Sequence, residues 1–221
     1  MVTKVGQLSA VHSEVYGCTL CGLCTGRTRT VPGAGNPDAE ILFIGEAPGE
    51  HEDLQGLPFV GKSGQYLDEL LAKNGLSRDA VFIANVVKCR PPNNRDPLPD
   101  EITACNAYLT RQIEIIDPLV IATLGRYSMG MFFPNARISA IHGQPKYGTL
   151  RAYYPLYHPA AVLRDGNLRP VMESDFARLL DVVAEVKKRR NSGAMGSELE
   201  PAPIIKTEIK DVKPKQKSLF D

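Results

Sequence analysis

Ile41-Leu42-Phe43-Ile44-Gly45-Glu46-Ala47-Pro48-Gly49 reads as a short apolar strand that ends at a glycine and a carboxylate and opens into a Gly/Pro-rich loop. Upstream of it, Gln7 to Tyr16 carries a helical pattern. Downstream, Gly64 to Lys73 places Tyr66, Leu67, Leu70 and Leu71 at core-facing helical spacing, and Asn74-Gly75 supplies a helix stop. Val81 to Val87 is the next strand, followed by a helix from Asp100 to Ile116 and a strand from Val120 to Leu124. A short helix near Tyr127 to Phe132, a strand from Ala152 to Tyr157 and a last helix to about Arg190 complete the pattern. Strands alternating with helices predict an α/β fold, a three-layer α/β/α sandwich around a mostly parallel, four-stranded sheet. Open sheets of this kind bind ligands outside the carboxyl ends of their strands. Glu46 and His158 each follow a strand, and Asn85 lies near the end of another, where a buried amide needs a partner.

The chain has 221 residues, 43% hydrophobic and 23% charged, enough for one folded domain over residues 1–190. Residues 191–221 turn to Gly, Ser, Pro, Lys and Glu with little periodicity, a composition that cannot offset the entropy of folding, and they are expected to form a flexible tail. The longest apolar runs are far too short to cross a bilayer and the N-terminus has no signal-peptide core, so a cytoplasmic protein is expected. The 26 basic and 25 acidic residues nearly cancel, so any contact with nucleic acid must come from a local patch.

Five cysteines in a chain of this kind point to metal or redox chemistry rather than a disulfide scaffold. Cys18 and Cys21 form a C-x2-C pair, and Cys89 and Cys105 form a wider one. One tight turn presents the first two sulfurs to a common centre, and Cys105, early in its helix, can point back at the loop carrying Cys89. Four thiolates from two segments suit tetrahedral zinc or an iron–sulfur cluster. Cys24, which makes a second C-x2-C with Cys21, reads as a small residue in a tight loop.

Gly56 to Ser63 formally matches the phosphate-binding pattern G-x4-G-K-[ST]. An acidic segment, Glu50 to Asp53, separates it from the strand, bulky Leu57, Pro58 and Phe59 fill it, and no second strand ends in the metal-binding aspartate of a nucleotidase. A P-loop NTPase is therefore a poor reading. Phe59, in a Gly-bounded loop, can instead stack a flipped base, although composition alone favours an ordinary core phenylalanine with the acids on a solvated surface.

Together, these stretches resemble the thermophile-type, family 4 uracil-DNA glycosylases. The likeness runs from Cys18 to about Leu180. It rests on Cys18-x2-Cys21-x-Leu23-x3-Arg27, Gly33-x-Gly35-Asn36, Gly45-Glu46-Ala47-Pro48-Gly49 with Glu52-Asp53, and Pro58-Phe59-Val60-Gly61-x2-Gly64. It continues through Asn85-Val86-Val87-Lys88-Cys89-Arg90-Pro91-Pro92, Cys105 and His158-Pro159-Ala160. The resemblance implies a uracil-glycosylase fold and a structural [4Fe-4S] cluster on Cys18, Cys21, Cys89 and Cys105. It implies a uracil pocket of Ala47, Phe59, Asn85 and His158, with Glu46 as the principal carboxylate and Glu52 or Asp53 in support. Leu163 and Arg164, just after His158, could wedge into the minor groove and touch phosphate, or simply begin a helix. The implied partner is uracil-containing DNA, single- or double-stranded, met by a monomer in the nucleoid. A glycosylase for another damaged base, or a DNA-binding iron–sulfur protein without activity, is the rival reading. Gln216, Leu219 and Phe220 in the terminal Gln216-Lys217-Ser218-Leu219-Phe220 resemble the peptides that bacterial repair proteins insert into the replication sliding clamp.

Overall fold

The computed structural model describes residues 2–193. In chain order the elements are α1 (Lys4–Tyr16), β1 (Ala34–Gly35), β2 (Ile41–Gly45), α2 (Glu50–Gln55), α3 (Lys62–Lys73), β3 (Phe82–Asn85), α4 (Pro99–Ile116) and β4 (Val120–Leu124). They continue with α5 (Arg126–Gly130), α6 (Ile138–Ile141), β5 (Lys146–Tyr147), β6 (Ala152–Leu156), α7 (Pro159–Arg164), α8 (Arg169–Ala177) and α9 (Leu179–Ser192). The sheet order is β1-β3-β2-β4-β6-β5. Its core is the expected set of four parallel strands, and two-residue antiparallel strands at either edge raise the count to six. Elements this short leave no periodic signal to read in a sequence.

Alternate residues of each strand leave the sheet on opposite sides. Ile41, Phe43, Ile83, Ala122 and Tyr154 join one buried cluster with residues of α3, α8 and α9. Leu42, Ile44, Phe82, Ala84 and Ile121 join a second with α1 and α4. The sandwich therefore has three layers, as the alternating pattern predicts. Helix α4 starts on Pro99, and Glu101 in its first turn accepts the Leu98 N–H at 2.8 Å, which takes up one of the donors a helix start leaves free. It stops at Asp117, whose φ of 47° is left-handed.

The parallel register decides where the site is. Gly45 pairs with Asn85, and Leu124 with Leu156, so the ends of β2, β3, β4 and β6 lie along one edge. From β2 the chain goes out to β3 on one side and returns to β4 on the other, which makes the β2/β4 boundary the switch point where such sheets open a crevice. The last long helix reaches Ser192, two residues beyond the expected boundary at Arg190. Gln216, Leu219 and Phe220 lie outside the described residues.

Candidate active site at the carboxyl edge of the sheet

Two glycines without side chains make room for the pocket. A Cβ at Gly45 would sit 2.4 Å from Asn85 Oδ1 and 2.6 Å from the Phe59 ring, so those two side chains share the space over the end of β2. At Gly125, with φ +91°, a Cβ would lie 3.0 Å from Cβ of His158. Phe59 and His158 face each other with ring centroids 5.7 Å apart. Phe59 itself is held in a left-handed conformation, φ 53°. Its backbone is fixed by Arg78, which donates to the carbonyls of Pro58 and Phe59, and by Gly64, where a Cβ would overlap the Phe59 carbonyl. Asn85 is 1% exposed, and its Oδ1 has no hydrogen-bond partner among the described residues. An orphan buried acceptor costs about 1–3 kcal/mol, which a ligand donor would recover.

His158 and Glu46 border the same edge, 5% and 3% exposed. His158 Nδ1 accepts the Ala160 N–H at 3.1 Å, which caps α7 and puts the ring proton on Nε2. Burial first, and then the charge of Arg164, lower its pKa to about 4, so the ring is a neutral donor at physiological pH. Burial first, and then the charge of Asp96, raise the Glu46 pKa to about 8 against the downward pull of Arg126. Arg126 is shared: Nη2 bonds Asp96 Oδ2 at 2.5 Å, and the guanidinium lies 4.7 Å over the Tyr127 ring.

The two other acids expected to support catalysis are occupied elsewhere. Glu52 Oε1 accepts the N–H groups of Val60 and Gly61, each at 2.8 Å, and Oε2 accepts that of Gly49 at 3.1 Å. Asp53, 3% exposed, accepts the Thr28 N–H on both oxygens, at 2.9 and 3.0 Å, and the Arg29 N–H at 3.3 Å. Glu52 therefore organises the loop that carries Phe59, and Asp53 ties α2 to the Thr28–Arg29 segment. Glu52 also fills the backbone donors that a phosphate-binding loop would offer to a nucleotide, which disposes of the P-loop pattern. Ala47 packs against the α1/α4 core. Leu163 is half exposed, at 50%, beside Arg164 at the end of α7.

On the α1/α4 side a single cavity is lined by Cys18, Cys21, Cys24, Cys89 and Cys105, with Arg27 and Lys88 beside them. All five cysteines are free thiols. Arg27 Nη1 donates to Cys89 Sγ at 3.2 Å, and the Lys88 N–H donates to Cys105 Sγ at 3.3 Å. Among the described residues no three His, Cys, Asp or Glu groups converge in the way one metal ion requires. The donor set, four or more sulfurs around a cavity with N–H donors directed at them, fits a multi-iron cluster, whose ligands stand farther apart than those of a single ion. Cys24, read from the sequence as a loop residue, shares this cavity.

Residues 32–184 match the model of the uracil DNA glycosylase superfamily. The chain belongs to that superfamily. It is 48% identical over 191 residues to the Type-4 uracil-DNA glycosylase of Sulfurisphaera tokodaii, covering 82% of this chain and 87% of the relative. Against the Type-4 uracil-DNA glycosylase of Saccharolobus solfataricus it is 48% identical over 187 residues, 80% of this chain and 87% of the relative. With that of Archaeoglobus fulgidus it is 46% identical over 181 residues, 78% and 91%. The uracil DNA glycosylase fold thus brings Glu46, Phe59, Asn85 and His158 to one edge, with Glu52 and Asp53 one layer behind. Asp96, Arg126 and Tyr127 were not legible as site residues. Asp96 stands on a loop while Arg126 and Tyr127 open α5, and only the tertiary fold sets them beside Glu46.

Proposed function

We propose that the chain removes uracil from DNA by hydrolysing its N-glycosidic bond, leaving an abasic site. The observation that carries this reading is the buried, unpartnered Oδ1 of Asn85 beside the Phe59 ring. A uracil turned out of the helix would stack on Phe59 and give its N3–H to that oxygen, whereas cytosine offers an acceptor there. Bond cleavage leaves negative charge on the base and positive charge on deoxyribose. The Nε2–H of neutral His158 supports the first, and a fixed, uncharged donor needs no reorganisation at the transition state. Glu46, in the carboxylate form that Arg126 favours, supports the second and orients water. Glu52 acts by holding the Phe59 loop, and Asp53 by holding the Thr28–Arg29 segment.

Cys18, Cys21, Cys89 and Cys105 would hold a [4Fe-4S] cluster. When bound it supplies a structural cross-link between the N-terminal segment and α4. Leu163 and Arg164 would meet the DNA, with the leucine against bases and the arginine against phosphate. Gln216, Leu219 and Phe220 would dock on a sliding clamp, a reading that rests on their sequence alone. A pull-down comparing wild type with a Leu219→Ala, Phe220→Ala double variant tests it: only the wild type should retain clamp.

The activity is tested by incubating the purified chain with a single-stranded oligonucleotide carrying one uracil, followed by alkali. Strand scission at the uracil is expected, with none at cytosine. An intact strand would reject the proposal.

A further inference from the structure

Lys88 is 1% exposed, and burying an ammonium group costs several kcal/mol unless its surroundings compensate. Its Nζ donates to two neutral oxygens, the Asn85 carbonyl at 2.8 Å and Gln112 Oε1 at 2.7 Å. Cys105 lies beside the lysine, its Sγ accepting the Lys88 N–H at 3.3 Å. Cys105 and Gln112 both lie on α4, two turns apart and so on one face of it. Gln112 is in turn fixed by donating through Nε2 to the Pro32 carbonyl at 2.7 Å. The lysine thus spans the distance from the cysteine cavity to the last residue of β3. That residue is the one whose side chain enters the pocket, and the chain after it is tied to β2 by Val86 N–H to the Gly45 carbonyl at 3.0 Å.

We propose that Lys88 is a positioning residue that ties the cysteine centre and α4 to the Asn85 backbone, holding the Asn85 amide at the angle that reads the base. It rests on the assignment of Asn85 as the uracil-reading amide. Held as cluster ligands, the cysteines would be thiolates and place negative charge beside the buried lysine, so the same lysine couples the two ends of the chain's functional machinery. The Asn85 carbonyl oxygen is the point of attachment, and the carboxamide lies two bonds beyond its Cα.

The test is a double-mutant cycle on single-turnover excision, with iron–sulfur absorption recorded for every variant. Lys88→Met should keep the absorption and slow excision by about tenfold to a hundredfold. In an Asn85→Ala background the same change should cost almost nothing further, because Lys88 acts through Asn85. It should also raise KM for uracil DNA more than it lowers the rate from the bound state. Equal slowing in both backgrounds, or none in either, overturns the proposal. If Lys88→Met loses iron or fails to fold, Gln112→Ala frees Nζ from α4 while keeping the lysine, and the same cycle must show the same non-additivity. A wild-type chain inactive on uracil, or an Asn85→Ala chain with the wild-type rate, refutes the reading of the pocket itself, a separate result from additivity.

Discussion

Glu46 and His158 are buried to a similar extent, and burial shifts each toward its neutral form. For His158 that is the working form, a neutral Nε2 donor. For Glu46 it is the idle form, since the cationic sugar calls for a carboxylate. Excision measured as kcat/KM should therefore rise with pH through about 8, where Glu46 ionises, and Glu46→Gln should be slow and flat across the same range. A wild-type profile that falls between pH 7 and 9 would contradict the role. His158 carries a stability consequence of opposite sign. Its folded pKa of about 4 lies below the ordinary 6.5, so its contribution is complete above 6.5 and is lost as pH falls toward 4. Denaturant midpoints of His158→Gln should fall less steeply over that interval than those of wild type. Glu46, Asn85 and His158 stood out in the sequence because each lies at or near a strand end, whereas Phe59, in the loop between α2 and α3, stood out only through the family motif it shares. Arg126 and Asp96 did not, because a charge pair joined across the fold has no spacing to betray it.

At the scale of elements, the segment from β2 to α3 decides the pocket. The sequence marked its glycines and acids but suggested chemistry for Glu52 and Asp53, which the structure shows clamping backbone N–H groups. Carboxylates in a loop beside a binding site look the same in sequence whether they face a substrate or the chain. Asp53→Ala strips the Thr28 and Arg29 N–H groups of their acceptor and should cost about 1–3 kcal/mol in chemical denaturation. The folded fraction should keep a single-turnover rate within a few-fold of wild type. A rate loss of about a hundredfold or more without any loss of stability would return Asp53 to the chemistry. Gly45→Ala makes the complementary prediction. The new methyl group occupies the space of the Phe59 ring and Asn85 Oδ1, so excision should collapse while the strand, buried and paired on both sides, persists by circular dichroism.

Across the whole molecule, one sheet carries two centres. Its parallel register gathers the pocket at the carboxyl ends, and α1 and α4 on one face enclose the cysteine cavity. The strand–helix alternation gave away the layers and the four parallel strands, since burial on both faces leaves continuous apolar runs. The edge strands escaped because two residues carry no period. Cys105→Ser should abolish iron–sulfur absorption and lower the thermal midpoint, by removing the link between α4 and the N-terminal segment. Unchanged absorption would remove Cys105 from the ligand set. The account turns on Asn85, and the release of free base from a uracil-containing oligonucleotide measures it most directly. Wild type should liberate uracil and no cytosine, and Asn85→Ala, with iron content intact, should be slower by about a hundredfold or more. Uracil release by Asn85→Ala at the wild-type rate would contradict the account.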